Sequence, residues 1–276
     1  MKLSEMIQVA YAEDMPHGDL TTESLALTDR PGDARLVAKE DLVMSGMEVF
    51  EQCLKHVVPK AQLQWQFKDG DFILANQNVC WIKADLVQLL KAERVALNFL
   101  GHLSGIATLT RCFVQEVQDT SCKILDTRKT TPLMRALEKQ AVRNGGGTNH
   151  RMDLSSAILI KENHIRAVGD LQQAIKEVRR KSLAAIEVEC ATLQEVEWAV
   201  SCKVNRILLD NMTDDQIRVA RAKIPATIEI EASGNMKLER VGPVARLGVD
   251  FISVGALTHS APCADFSMLF EWQQTR

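Results

Sequence analysis

Residues 186–210 read IEVECATLQEVEWAVSCKVNRILLD, in which two short apolar runs, IEVE and RILLD, flank a helical stretch. The same figure recurs on both sides, as KILD at 123–126 and AILIK at 157–161, then as TIEIE at 227–231 and FISVG at 251–255. Successive runs stand about 20 to 35 residues apart, the spacing of parallel strands joined by helical crossovers. Several end on a polar residue, Asp126, Lys161, Glu189 or Asp210, and the last ends on Gly255. In a parallel α/β barrel those ends gather at one mouth, and in an open doubly wound sheet they line a crevice. The fold expected is α/β, with a C-terminal parallel α/β barrel over 116–265. It should have about six strands and be TIM-like and incomplete.

Upstream the pattern changes. Ser4–Tyr11 predicts a short helix that stops before Pro16 and Gly18. From Asp33 to Lys83, alternating runs such as ARLVA, LQWQF and VCWIKA are separated by turn signals, with one helix over Met47–His56. Asp85–Gln118 is a long helical pattern in which Gly101 and Gly105 mark either a kink or close packing. Together these segments predict an N-terminal α+β domain of open-faced sandwich type over 1–115, joined by a C-terminal helix over 266–276.

Of the 276 residues 46% are hydrophobic and 25% charged, which excludes a disordered chain. The formal net charge of -3 gives no overall basic character to attract nucleic acid or anionic lipid. The opening MKLSEMIQVAYAEDMPHGD lacks the apolar run of a signal peptide, and no later stretch approaches a membrane span, so a cytoplasmic protein is expected. Seven cysteines without a C-x-x-C pair argue against disulfides and structural zinc in such a compartment.

Positive charge is local instead. Residues 126–164 hold seven Lys and Arg against four Asp and Glu, a +3 that leaves -6 for the remainder. Arginine offers a planar fork matched to carboxylate or phosphate, and lysine a mobile point charge. Arg128, Lys129, His150, Arg151 and Lys161 therefore suit a ligand with several anionic groups. Gly145, Gly146 and Gly147 would let backbone amides approach it. Arg135, Lys139 and Arg143, at helical spacing after Pro132, read as a solvated basic helix face. Lys161 follows AILI into the mouth, where it serves a ligand or pairs with Glu189 or Asp210. His164 reads equally well as a packing or loop residue. Glu189 and Asp210 suit ribose hydroxyls or a hydrated magnesium held with a diphosphate, or else they balance Lys161 and Arg128. Glu187 shares a strand face with Glu189, and spacing alone does not divide roles between them. EASGN and SVGALTHS each end a strand with small residues and glycine before a helix, an arrangement that presents backbone N–H groups to phosphate.

Taken in order, DTRKTTP (126–132), GGGTNHR (145–151), LIKENHI (159–165), EVE (187–189), LLDN (208–211), EASG (231–234) and SVGALTHS (253–260) resemble the quinolinate phosphoribosyltransferase family. EDMPHGDLTT (13–22) and AERVALNFLGHLSGIAT (92–108) resemble its N-terminal features, so the likeness spans nearly the whole chain. The resemblance implies transfer of phosphoribosyl from phosphoribosyl pyrophosphate to the nitrogen of quinolinate. Pyrophosphate and carbon dioxide are lost, giving nicotinate mononucleotide for NAD biosynthesis, with Mg2+ as the cofactor. It implies that Arg128, His150 and Arg151, with Lys129 and Lys161, surround the quinolinate carboxylates and the adjacent diphosphate. Lys129, Lys161, Glu189 and Asp210 would be the catalytic set, the two acids lying on the ribose and magnesium side. Ser233, Gly234, Asn235, Gly255 and His259 match the region that binds the phosphoribosyl group and its 5′-phosphate. Arg94 matches a residue that reaches the quinolinate site of the neighbouring subunit, which implies a homodimer; on its own it would read as surface charge. The chain departs from the family at Leu133, usually glycine, and at Asn235, where a second glycine is common. Three rivals stand beside this reading: a related transferase for another aromatic acid, a Schiff-base aldolase or decarboxylase using Lys161, and a non-catalytic sensor of a phosphate ligand.

Overall fold

A computed structural model describes residues 1–272. The chain forms two compact units, the first comprising Met1–Leu109, Pro132–Gly146 and the chain from Ala261, the second Thr110–Thr131 and Gly147–Ser260. The division therefore falls at 109/110 and 260/261, rather than at 115/116 and 265/266. Residues 132–146, expected inside the barrel, fold with the first unit. The cause is local: the helix Arg135–Asn144 buries Glu138, Lys139, Ala141 and Val142, His102 Nε2 lies 2.8 Å from the Glu138 carboxylate, and Asn144 donates to Ser45.

In the first unit an antiparallel sheet runs in the order Phe266–Glu271, Pro31–Ala38, Asn78–Asp85, Gln62–Trp65. Side chains alternate across it, as the strand pleat requires. Ala34, Leu36, Ile82 and Met268 are buried, whereas Arg35 lies in register with the exposed Trp81 and Leu269. Over the described part of 266–276 the expected helix is not formed. Phe266–Glu271 is a strand antiparallel to Pro31–Ala38, and its alternation of Phe266 and Met268 inward with Leu269 outward has period two, not 3.6. Residues 273–276 lie outside the described residues.

Three helices belong to this unit's core. Leu3–Asp14 buries Ile7 and Tyr11, and Met47–Val57 buries Val49, Phe50, Cys53 and Leu54. The Tyr11 hydroxyl lies 3.0 Å from the carbonyl oxygens of both Cys53 and Ala92, tying both helices to the third. That third helix, Leu86–Glu116, is continuous for 31 residues. Its glycines are there for close approach: a Cβ on Gly105 would stand 1.8 Å from the Pro262 carbonyl oxygen, and one on Gly101 2.8 Å from that of Ala264.

The second unit is a parallel sheet of six strands. Named by chain order, they are Lys123–Leu125 (first), Ile158–Ile160, Ile186–Cys190, Arg206–Asp210, Glu229–Ser233 and Phe251–Ser253 (sixth). In space the first lies beside the sixth, followed by the fifth, fourth, third and second. Four crossover helices bury apolar stripes, led by Ile175, Val196, Ile217 and Val241, worth about 1.5–3 kcal/mol per large side chain. Asp170, Thr192 and Thr213 cap three of these helices by accepting backbone N–H bonds. No strand pairing joins first to second among the described residues. In that gap Thr148 alone bridges to the first strand, donating to the Ile124 carbonyl and accepting from Asp126 N–H.

Candidate active site

The C-terminal ends of the six strands surround a cavity of about 840 Å3, lined entirely by the second unit. That size is within the range of sites for organic ligands. Every site residue expected in the C-terminal part lines it: Arg128, Lys129, His150, Arg151, Lys161, Glu189, Asp210, Ser233, Gly234, Asn235, Gly255 and His259. Arg94 does not. It is exposed on the helix Leu86–Glu116 of the first unit.

Asp126 organises one wall without reaching the cavity. Wholly buried, it accepts the His150 backbone N–H at 2.8 Å with one oxygen and the Asn149 side chain with the other. His150 and Arg151 are thereby fixed beside Arg128. The Arg151 guanidinium is further anchored on the Ala157 carbonyl at 3.0 Å. Burial, then the neighbouring Arg128, push it below its ordinary value. Two guanidiniums crowded together make a site strongly favourable to carboxylates.

Lys161 leaves the second strand and meets Glu189, at the end of the third, with 3.0 Å between Nζ and Oε2. Asp210 ends the fourth strand and accepts from the Asn211 side chain at 2.8 Å. Lys129 is held through its backbone, its carbonyl accepting from Thr258 Oγ1 at 2.8 Å.

The turn after the fifth strand is built from left-handed backbone at Gly234 (φ 90°) and Asn235 (φ 50°), facing Asn211 (φ 53°). A Cβ at Gly234 would sit 2.2 Å from Asn211 Oδ1, so only glycine fits there. Asn235 compensates for its own strain by donating to that same oxygen at 3.0 Å. Gly255, after the sixth strand, lies close against Lys129 and His259.

Beneath the mouth the strand interiors carry charge. His150 Nε2 is 3.4 Å from Glu187 and 3.6 Å from Glu231. Arg206 pairs with Glu231 at 3.3 Å and with Glu229 at 2.7 Å, its guanidinium stacked over the Phe251 ring at 4.0 Å. The ligating atoms of His150, Glu187 and Glu231 lie within 4.8 Å of one another, a metal-like spacing. Arg206 already supplies the cation there, so a metal is not required to balance the acids. Burial alone would raise Glu187, but His150 and Arg206 bring it below its ordinary value. Burial and then Glu187 push Glu231 upward. Burial would lower His150, yet its two carboxylate neighbours raise it.

The family models for the N-terminal and C-terminal domains of quinolinate phosphoribosyl transferase match residues 19–104 and 106–269. The chain belongs to the quinolinate phosphoribosyltransferase family. It is 41% identical over 267 residues to a probable carboxylating nicotinate-nucleotide pyrophosphorylase of Synechocystis sp., covering 95% of this chain and 90% of that one. The counterpart in Bacillus subtilis is 37% identical over 270 residues, covering 97% and 93%. The solved nicotinate-nucleotide pyrophosphorylase of Francisella tularensis superimposes with a TM-score of 0.93 at 34% identity, over 98% of this chain and 96% of that one. For a quinolinate phosphoribosyltransferase chain the two departures now have a physical description. Leu133 (φ 69°) and Asn235 (φ 50°) occupy left-handed backbone, where glycine is the unstrained choice.

Other expectations are corrected. Gly145 and Gly146 end the helix Arg135–Asn144, accepting no place in the cavity lining, and Gly147 does not line it either. Lys139 is not on a solvated face but fully buried, because helical spacing of charges does not say which face a neighbour covers. His164 caps its helix by accepting from Lys161 N–H at 3.0 Å. The pairing of Glu187 with His150 and of Glu189 with Lys161 separates two acids that spacing left together. Arg206, Glu231, Asn211 and Lys237 were not anticipated. The repeated i, i+2 acids EVE and EIE were the available signal for an interior charged layer.

Proposed function

We propose that the protein transfers the phosphoribosyl group of phosphoribosyl pyrophosphate to quinolinate and releases carbon dioxide, giving nicotinate mononucleotide for NAD biosynthesis. The observation that carries this is one cavity joining Arg128, Arg151 and His150 with Lys129, Lys161, the rim carboxylates Glu189 and Asp210 and two small-residue turns. That set fits an aromatic dicarboxylate beside a phosphorylated sugar. Family membership supplies the reaction class.

The two arginines hold the carboxylates so that the ring nitrogen faces the ribose carbon. As the carbon–oxygen bond to diphosphate breaks, Lys129 and Lys161 stabilise the charge growing on the leaving group. Glu189 and Asp210 hold ribose hydroxyls and offset positive charge on the sugar. The nitrogen lone pair forms the new bond. The resulting pyridinium draws in the electron pair left when the carbon–carbon bond to the carboxylate breaks, and that ring carbon takes a proton as carbon dioxide leaves. Ser233, Gly234, Asn235, Gly255 and His259 receive the 5′-phosphate.

Glu189 is committed to Lys161 and Asp210 to Asn211, so they fit magnesium indirectly, through water around a diphosphate-bound ion. When bound, that ion neutralises the departing diphosphate. Arg94, exposed and outside the cavity lining, is read as completing the site of a second copy, and hence as the mark of a homodimer. Mixing inactive Arg94→Ala and Lys161→Ala proteins tests this: exchange of subunits should restore part of the activity, and no recovery in demonstrably mixed dimers would count against it. No described helix is long and apolar enough to cross a membrane. Seven free cysteines fit the cytoplasm.

The deciding assay supplies purified protein with magnesium, phosphoribosyl pyrophosphate and quinolinate labelled in the carboxylate next to the nitrogen. Equal amounts of nicotinate mononucleotide, pyrophosphate and labelled carbon dioxide are expected. Consumption of nicotinate or another acid but never quinolinate would overturn the substrate. Borohydride trapping of substrate on Lys161 without phosphoribosyl pyrophosphate would favour the lyase.

A further inference from the structure

Glu231 is wholly buried in the fifth strand, and it forms part of the lining at the base of the cavity. Each strand beside it sends a group toward it. The fourth contributes Arg206, 3.3 Å from one carboxylate oxygen. The sixth contributes the Ser253 hydroxyl, which donates to it. Glu187 comes from the third strand, and His150 from the segment tied to Asp126, with Nε2 3.6 Å from Glu231 Oε1. That separation is too long for a hydrogen bond. Oε1 of both Glu187 and Glu231 is buried without a hydrogen-bond partner. Arg206 is shared with Glu229, so one arginine faces three carboxylates. Two buried acids this close cannot both ionise cheaply, and a proton held among Glu231 and His150 relieves the conflict.

The same ring is an element of the cavity wall. His150 Nδ1 accepts the Arg151 backbone N–H at 2.7 Å, which leaves its other nitrogen facing the acids. Arg151 adjoins His150 in the chain, and Arg128 lines the same cavity. Their positive charges oppose protonation of groups nearby, and a bound dianion would cancel that opposition.

We propose that the Glu231–His150 pair is a proton-accepting floor of the dicarboxylate site, which takes up a proton when an aromatic dicarboxylate settles on Arg128 and Arg151. Glu231 lines the cavity without exposing any surface there, so it is a positioning residue that acts through His150. Glu187 and Arg206 stay charged and hold the pair in place. Burial beside Glu187 pushes Glu231 up to about 7, so the uptake belongs to neutral and mildly alkaline solution. Affinity for the dicarboxylate should then fall as pH rises above that value, by at most about tenfold per pH unit for one linked proton.

This rests on quinolinate being the ligand, and calorimetry separates the two ideas. Quinolinate is titrated into the intact protein near pH 8 in buffers of different ionisation enthalpy. Binding heats should vary with buffer in proportion to a proton uptake between about one half and one per site. Glu231→Gln should bind quinolinate with that dependence largely removed. Binding of quinolinate by the native protein without buffer dependence would overturn the proton-accepting floor alone. Unchanged uptake in Glu231→Gln would overturn the role of that residue. Absence of any quinolinate binding would overturn the substrate and the floor together. Should Glu231→Gln not fold, the native protein still decides, because an affinity flat from about pH 7 to about pH 9 contradicts the linkage.

Discussion

Lys161 and Glu189 face each other from neighbouring strands, ammonium to carboxylate at 3.0 Å, on the rim of the cavity. The lysine side chain is 47% exposed, so the pair adds less than about 1 kcal/mol to stability. Under the proposed function its value is a cation held ready where diphosphate must leave. Lys161→Ala should lower kcat about 100-fold or more, the usual loss for one stabiliser of developing charge, with a denaturation midpoint close to the parent's. Steady-state kinetics and urea unfolding check the two halves.

Arg151 is held by the Ala157 carbonyl and by its neighbours in the Asp126-anchored segment, not by apolar packing. Removing its guanidinium takes away a charged hydrogen bond to a ligand carboxylate, worth about 1.5–3 kcal/mol. Arg151→Ala should raise the KM for quinolinate roughly 10- to 100-fold and leave the circular dichroism spectrum intact. An unfolded variant would instead make Arg151 part of the segment's scaffold.

Leu133 is exposed and left-handed, with φ 69°. Left-handed backbone costs an ordinary residue about 1–2 kcal/mol, whereas glycine forfeits about 0.5–1 kcal/mol through its freer unfolded chain. Leu133→Gly should therefore stabilise the protein by about 0.5–1 kcal/mol, seen as a higher urea midpoint at constant slope. Asn235→Gly should gain less, because it gives up the bond to Asn211.

Glu231 links stability to pH. Its proton is held more tightly in the folded protein than in the unfolded chain, so its contribution is fully present below the ordinary value of 4.5 and is lost as pH rises through about 7. Glu187 has the opposite sign: it is lowered, so its contribution is present above its ordinary value and lost in acid. Unfolding midpoints at about pH 5.5 and about pH 8.5 should fall less for Glu231→Gln than for the parent. A parent whose midpoint does not fall over that interval would contradict the assignment.

Much of this was legible in residue order. The six strands announced themselves because each is a short run built on branched apolar residues and closed by a polar or glycine end, and those ends line the cavity. What escaped depended on partners far along the chain. Lys139 has the spacing of a solvated charge and is nevertheless buried. The helix expected at Phe266–Glu271 gives way to a strand because pairing with Pro31–Ala38 selects the extended form. Glu187 and Glu231 looked like ordinary acids of alternating strands, since nothing local tells an inward acid from an outward one. Gly105 announced that something came close, and Pro262 is what does.

The placement of the first strand beside the sixth alone bears on how the protein is made. As the chain emerges from the ribosome, Lys123–Leu125 has no strand partner until Phe251–Ser253 has been synthesised. Pro31–Ala38 waits longer still for Phe266–Glu271. A nascent chain stalled before residue 251 would therefore carry nearly all of its charged groups yet lack the wall of the cavity that Ser253, Gly255 and His259 supply.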